Sequence, residues 1–218
     1  MDTVSITTSF PTDIADASTL FRASSSSTTG LRPIEELSKA TSLGNLEKTV
    51  IPSVSSIDHS LDGKWNLYYH LPHDKSWELS SYTIIMSSID TVEKVIALNE
   101  TIHENVVKNC MMFVMREGIT PMWEDPRNRN GGCFSYKVIN KAVPEVWRSL
   151  FYSLCGESLC VDPKNNKHIN GIAISPKKNF CIIKIWLDTA ELQDSGIIIN
   201  IPNLLKQGCL FKKHEPEF

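Results

Sequence analysis

The sequence predicts an α+β fold, a largely antiparallel sheet with helices on one face. Strand patterns come as hairpins, amphipathic helical patterns are inserted between them, and no internal repeat is visible. Hairpins make antiparallel neighbours, and helices inserted between them collect in a single layer.

Residues 1–56 differ from the rest of the chain. Ser and Thr dominate there, with the run Ser24-Ser25-Ser26-Ser27-Thr28-Thr29. Such a segment buries too little apolar surface to offset its ordering entropy, so it reads as a mostly disordered tail. Asp2, Asp13 and Asp16 argue against a transit peptide. Residues 34–46 read as a linker, with a transient helix on a partner as the other option. The folded domain is expected over 57–218.

Within that domain, 64–71 alternates and carries Trp65, Tyr68 and Tyr69, which predicts a strand. A polar turn with Trp77 follows, then a second strand over 82–86. Asp90 is expected to cap a helix, with Glu93 at the third position. That helix should run to about Glu104 and bury Val95, Leu98 and Ile102, leaving Val92 and Ile96 on another flank. A strand at 111–115 leads into a loop at 117–132 rich in Gly, Pro and Asn. The next strand is 133–139. Pro144 suits the first turn of a helix over 143–155, with Val146, Trp147, Leu150, Phe151 and Leu154 inside. Strands at 169–175 and 180–187 form a hairpin. A short helix near Glu191, broken before Pro202, and a strand at 209–212 complete the pattern.

The chain has 218 residues, with 41% hydrophobic and 22% charged. That suffices for one domain with a core. Net charge is −3, so the whole chain lacks the basic signature of a protein that grips nucleic acid along its backbone. RNA recognition would have to be local, at one small site with a few cations. No stretch reads as a signal peptide or transmembrane helix. The six cysteines therefore read as reduced thiols. Cys155, Cys160 and His168 are too loosely spaced for a zinc site. The sequon at Asn99 carries no meaning without a secretory route. No P-loop, zinc signature or nucleophile motif is present, so catalysis is not expected.

Three tryptophans, Trp65, Trp147 and Trp186, lie in apolar patterns and read as core. Trp77 and Trp123 lie in polar loops. Each either folds back onto the sheet or serves a binding surface. Two parallel indoles can sandwich a flat base, each stack contributing roughly 1–3 kcal/mol. A cationic base adds attraction of about 0.5–2 kcal/mol from the ring quadrupole. Glu124, next to Trp123, could accept both N–H groups of a guanine edge, bidentate and charge-assisted. Taken alone it is a solvated loop acid.

Together these residues resemble the eukaryotic translation initiation factor 4E family, whose members bind the 7-methylguanosine cap of mRNA. The resemblance rests on His59-Ser60-Leu61 with Lys64-Trp65, then Lys75-Ser76-Trp77 and Asp90-Thr91-Val92-Glu93. It continues through Gly118-Ile119-Thr120-Pro121-Met122-Trp123-Glu124-Asp125, Gly131-Gly132, Trp147, Gly156-Glu157-Ser158, Gly171 and Ile185-Trp186. These fall in the family's order between about residues 57 and 190. The Pro-Met-Trp-Glu-Asp string is the most specific.

The resemblance implies a curved sheet with about three helices on its convex face and the cap on the concave side. Trp77 and Trp123 would stack on 7-methylguanine, Glu124 would take its N1 and N2 hydrogens, and the Trp123 N–H its oxygen. Trp186 would pack on the N7-methyl group, which replaces its reading as core. The phosphate-binding cations are altered. The family's basic residue at Lys177 is kept, but a lysine is replaced by Ile182 and an arginine by Cys133. Lys184 shares a strand face with Trp186, and Arg129 or Arg127 lies in the preceding loop. On the convex face the family seats a helix of a scaffold or inhibitor protein. The matching positions are His59, Leu61, Val92, Ile96, Trp147, Arg148 and Tyr152. Ile96 replaces an exposed tryptophan and Arg148 an apolar contact, which points to a divergent partner. The resemblance thus implies a cytoplasmic, monomeric cap-binding protein of translation initiation without a cofactor. A competitor or repressor that does not recruit the usual scaffold is the alternative.

Overall fold

The computed structural model describes residues 58–71 and 74–216. The tail expected over 1–56, together with Ile57 and His73, lies outside the described residues.

Seven strands form one antiparallel sheet. They are β1 (Ser60–His70), β2 (Tyr82–Thr91), β3 (Met111–Arg116), β4 (Gly132–Ile139), β5 (Ile169–Pro176), β6 (Phe180–Leu187) and β7 (Leu210–Lys213). Their order across the sheet is β2-β1-β3-β5-β6-β4-β7, so β2 and β7 are the edges. Among the described residues, three α-helices pack on one face: α1 (Val92–Thr101), α2 (Glu104–Asn109) and α3 (Val143–Cys155).

The period of two in each strand sorts its side chains between two environments. Cys181, Ile183, Ile185 and Leu187 of β6 enter the helix-side core with Trp65, Leu67, Met112, Val114, Phe134 and Tyr136. The alternate residues of the central strands form a smaller cluster on the other face: Tyr68, Phe113, Met115, Ala173 and Trp186. The sheet thus has two apolar faces, and only one is covered by helices.

Helix α3 has the boundaries its pattern predicts, with Pro144 in the first turn and all five expected core residues buried. Truncating one of them, such as Phe151, to alanine would cost about 3–5 kcal/mol. Helix α1 buries Val95 and Leu98, with Ile102 just beyond its end, as its pattern predicts, and exposes Val92 and Ile96. Its start differs. The cap is Thr91, whose hydroxyl accepts from the Lys94 N–H, and Asp90 remains in β2. Asp90 instead takes the Lys94 ammonium at 2.6 Å, so the lysine uses both neighbours. Glu93 bonds His59 at 2.7 Å rather than closing a capping box. The helix also ends earlier than expected. Ile102 turns extended, and His103 caps a separate short helix. No helix forms at Glu191. That segment holds only a 3-10 turn at Ser195–Ile197, capped by Asp194.

An ion pair closes one end of the sheet. The Arg116 guanidinium bonds both carboxylate oxygens of Glu157, at 2.6 and 3.1 Å, and lies 4.4 Å from the centre of the Trp65 ring. This fixes β3 to the turn after α3. Among the described residues, no helix is long and apolar enough to cross a membrane.

Candidate functional site

On the face away from the helices lies a cavity of about 540 Å³. Its lining includes Trp77, Tyr82, Phe113, Trp123, Glu124, Lys184 and Trp186. Three indoles, one ammonium group and the carboxylates of Glu78, Glu124 and Glu215 therefore converge on one space.

Trp77 precedes a 3-10 turn at Leu79–Ser81 that leads into β2, and it is 54% exposed. One side of its ring is taken by His70 of β1. The two rings are parallel within 7°, with centres 4.5 Å apart. A carbonyl only accepts, so His70 Nε2 donates to the Ser76 carbonyl, at 2.8 Å. His70 Nδ1 is buried and has no hydrogen-bond partner among the described residues. The stack and this hydrogen bond tie the Trp77 loop to the sheet.

Trp123 is held by a second device. Its loop runs from β3 to β4 and is braced by side chains rather than by regular structure. The Asp125 carboxylate accepts from the Thr120 N–H at 2.7 Å, the Thr120 hydroxyl at 2.8 Å and the Arg127 N–H at 2.9 Å. Asn128 is fully buried and donates to the carbonyls of Thr120 and Met122. Asn170, from β5, donates to the Asn128 side chain and to the Arg127 carbonyl. Behind Trp123 lies His214, whose ring is 5.5 Å away and inclined by 18°. His214 Nδ1 donates to the Asn128 carbonyl at 2.7 Å, and its backbone N–H bonds the Gly131 carbonyl. Its Nε2 is buried without a partner among the described residues. The same ring contacts Trp186, with centres 4.8 Å apart.

The two histidines thus play parallel parts. Neither lines the cavity, whereas both of their tryptophans do. Each lies behind one indole and is anchored to a backbone carbonyl.

The electrostatics are mixed. Burial holds the His214 imidazole below its ordinary pKa, and Lys184 acts in the same direction. The Asn128 hydrogen bond and Glu124 work the other way. The Tyr82 phenol is pushed up to about 12 by burial and then by the nearby Glu124 charge. Tyr82 is therefore a neutral hydroxyl at physiological pH. Among the described residues, no side chain hydrogen-bonds or ion-pairs with the Glu124 carboxylate. It is a charged acceptor without a commitment, on the wall of an aromatic cavity.

Two ammonium groups sit beside Trp123. Lys184 Nζ is 5.8 Å and Lys212 Nζ 5.0 Å from the centre of its ring. Lys212 pairs with Cys133 across β4 and β7, and Lys184 with Ser135 across β4 and β6. Cys133 is fully buried, with its thiol pKa raised by burial. Lys177 is exposed in the β5–β6 turn, and Arg129 is exposed in the β3–β4 loop; neither lines the cavity.

On the helical face, Val92, Ile96 and Tyr152 are 38%, 40% and 39% exposed. Arg148 and His59 are exposed as well, and Leu61 is half-buried against the core. Trp147 is buried and belongs to the core, with only a shallow recess of Asn99, Glu104, Pro144 and Arg148 around it.

Sequence reasoning missed His70, Tyr82, Asn128, Asn170, Lys212 and His214. Only Lys212 had a usable signal, because it closes the strand predicted over 209–212. Asn170 and His214 act through contacts between distant segments, and His70, though only seven residues from Trp77, is marked by no pattern in the sequence.

The comparisons agree with this geometry. A family model described as Eukaryotic initiation factor 4E matches residues 60–216. Eukaryotic translation initiation factor 4E of Saccharomyces cerevisiae is 30% identical over 168 residues, covering 73% of this chain and 76% of the relative. The Homo sapiens factor of the same name is 27% identical over 158 residues, covering 69% and 70%. Among solved structures, the complex of C. elegans eIF4E-3 with the 4E-binding protein Mextli and cap analog is similar. Its TM-score is 0.54 at 27% identity, covering 61% of this chain and 76% of that one. Ascaris suum eIF4E-3 with m7G cap shares the fold, with a TM-score of 0.55 at 22% identity, covering 62% and 77%. With the match spanning every strand of the sheet and the whole aromatic cavity, the chain belongs to the eukaryotic initiation factor 4E family.

Proposed function

We propose that this protein binds the 7-methylguanosine cap of mRNA and acts in translation initiation. The observation that carries this reading is the uncommitted Glu124 carboxylate among Trp77, Trp123 and Trp186 on one cavity wall. Such a site suits a flat, cationic base with two adjacent N–H groups. Trp77 and Trp123 take the two faces of 7-methylguanine, each backed by a histidine. Glu124 accepts N1–H and N2–H, and neutralises the charge. The Trp123 N–H meets the base oxygen. Trp186 packs against the N7-methyl group. The protein is a binding factor rather than an enzyme, and it works in the cytoplasm. Residues from 57 onward suffice for binding, since every lining residue lies there.

Lys184 and Lys212 take the phosphates that follow the base. They stand where the family's arginine is replaced by Cys133 and its lysine by Ile182. Lys177 and Arg129 reach only the outer part of the phosphate bridge, if the nucleotide lies along β6.

The exposed Val92, Ile96 and Tyr152 form a surface for a partner helix, as the relative solved with Mextli suggests by analogy. Arg148 is exposed beside them, which favours a partner with an acidic residue at that point.

The test is tryptophan fluorescence titrated with 7-methyl-GTP and with GTP. Quenching by the methylated nucleotide at far lower concentration is expected. Glu124→Gln should weaken 7-methyl-GTP by about 2–3 kcal/mol, since a charged bidentate acceptor becomes a neutral one. Equal quenching of the unaltered protein by both nucleotides would refute the reading.

A further inference from the structure

The uncovered face of the sheet extends beyond the cavity. Its side chains lie in rows, because β4, β6 and β7 are in register. The first row holds Lys212, Cys133 and Trp186, the second Leu210, Ser135 and Lys184, and the third Lys137 and Ile182. The fourth is Ile139 and Phe180. Successive rows are two residues apart, or about 7 Å, so Phe180 lies about 20 Å from Trp186. The first three rows contribute one lysine each.

The last row ends the ladder on an apolar platform. Ile139, the last residue of β4, is 62% exposed. Phe180 is half-buried and belongs to neither core cluster. The Lys137 ammonium lies 4.4 Å from the centre of its ring.

The local composition is also one-sided. Segments 132–142, 175–187 and 209–213 contain seven lysines and no Asp or Glu. The chain as a whole has net charge −3. A basic track with an aromatic at its far end suits a single-stranded nucleic acid, whose phosphates follow the cations and whose bases stack.

We infer that this face is a second nucleotide site, which carries the RNA chain 3′ of the cap past Lys137 and stacks a base on Phe180 and Ile139. The inference rests on the cap-binding reading, because the cap anchors the chain at the Trp186 end. Recognition here is by charge and stacking, so it does not select a base sequence.

The experiment compares three probes: 7-methyl-GTP, the dinucleotide m7GpppA, and a capped RNA of mixed sequence. With RNA of about ten nucleotides, the unaltered protein should bind about tenfold more tightly than m7GpppA at low salt. Lys137→Glu and Phe180→Ser should each remove most of that gain and leave 7-methyl-GTP binding unchanged. Lys137→Ala should lower the salt slope for capped RNA by about one. Lys137 is exposed, so its variants fold even if Phe180→Ser does not. Several outcomes would overturn the inference. One is no gain from RNA in the unaltered protein; another is a full gain in Lys137→Glu. Displacement of capped RNA by polyglutamate as readily as by uncapped RNA would show a mere cationic surface, with the same consequence. Failure to prefer 7-methyl-GTP over GTP would instead refute the cap site itself, and is read from the first probe alone.

Discussion

His70 lies flat against Trp77, at 4.5 Å and 7°, and donates to the carbonyl of the residue before it in the chain, Ser76. One side chain thus sets both the plane of the indole and the path of its loop. His70→Ala should weaken 7-methyl-GTP by about thirtyfold, as a stack of about 1 kcal/mol and a hydrogen bond of similar size are lost. His70→Phe keeps the stack and should recover most of the affinity. Fluorescence titration of both variants, with a thermal melt to confirm folding, checks this.

His214 makes stability depend on pH. Its imidazole is below its ordinary pKa in the folded protein, so the unfolded chain binds the proton more readily. The stabilisation is complete above about pH 6.5, falls as the solution is acidified through that value, and levels off below the folded pKa. His214→Phe removes the group that titrates. The difference in melting temperature between the unaltered protein and His214→Phe should therefore narrow from pH 7.5 to 5.5. A constant difference would show that His214 does not titrate in this range.

Asn170 braces the Trp123 loop from β5. Its amide serves two acceptors, the buried Asn128 side chain and the partly buried Arg127 carbonyl. Asn170→Ala leaves both without that donor and should cost about 2–3 kcal/mol. Chemical denaturation measures the loss, and faster hydrogen exchange confined to 117–131 would locate it.

Arg116 and Glu157 form a largely buried, two-pronged pair, with side chains 18% and 22% exposed. Removing one partner strands the other charge. Arg116→Ala should destabilise by about 3 kcal/mol in urea unfolding, while Arg116→Ala with Glu157→Gln should lose less.

Much of the fold and the site was legible in the sequence, for identifiable reasons. The strands of the hairpin 169–187 and helix α3 follow from periodicity and from Pro144, since local pattern and tertiary burial agree there. Trp77 and Trp123 stood out because large aromatics in polar loops contradict their surroundings, whereas the roles of Glu124 and Trp186 came only with the family resemblance. Lys184 was placed on the cavity face by counting in twos. His214 and Asn170 escaped because long-range contact sets them, whereas His70 acts on its near neighbours Ser76 and Trp77 without a sequence pattern to mark it. His214 meets Asn128 across 86 residues, and Asn170 meets it across 42. Neither partner is marked by spacing. The misplaced helix start has a local cause. Asp90 and Thr91 are both competent caps, and β2 pairing through Thr91 with Ser60 decided between them.

The four residues of β7 hydrogen-bond only to β4, at the rim of the sheet, yet they bring Lys212 and then His214 to Trp123. A short rim strand frays far more often than the molecule unfolds. Each such opening would withdraw a cation and the backing of an indole together, while the rest of the fold stays intact. The lifetime of a bound nucleotide would then be governed by how often β7 peels away rather than by the strength of the stack. Two proteins with the same aromatic site could hold their ligand for very different times, according to how well this last strand is pinned.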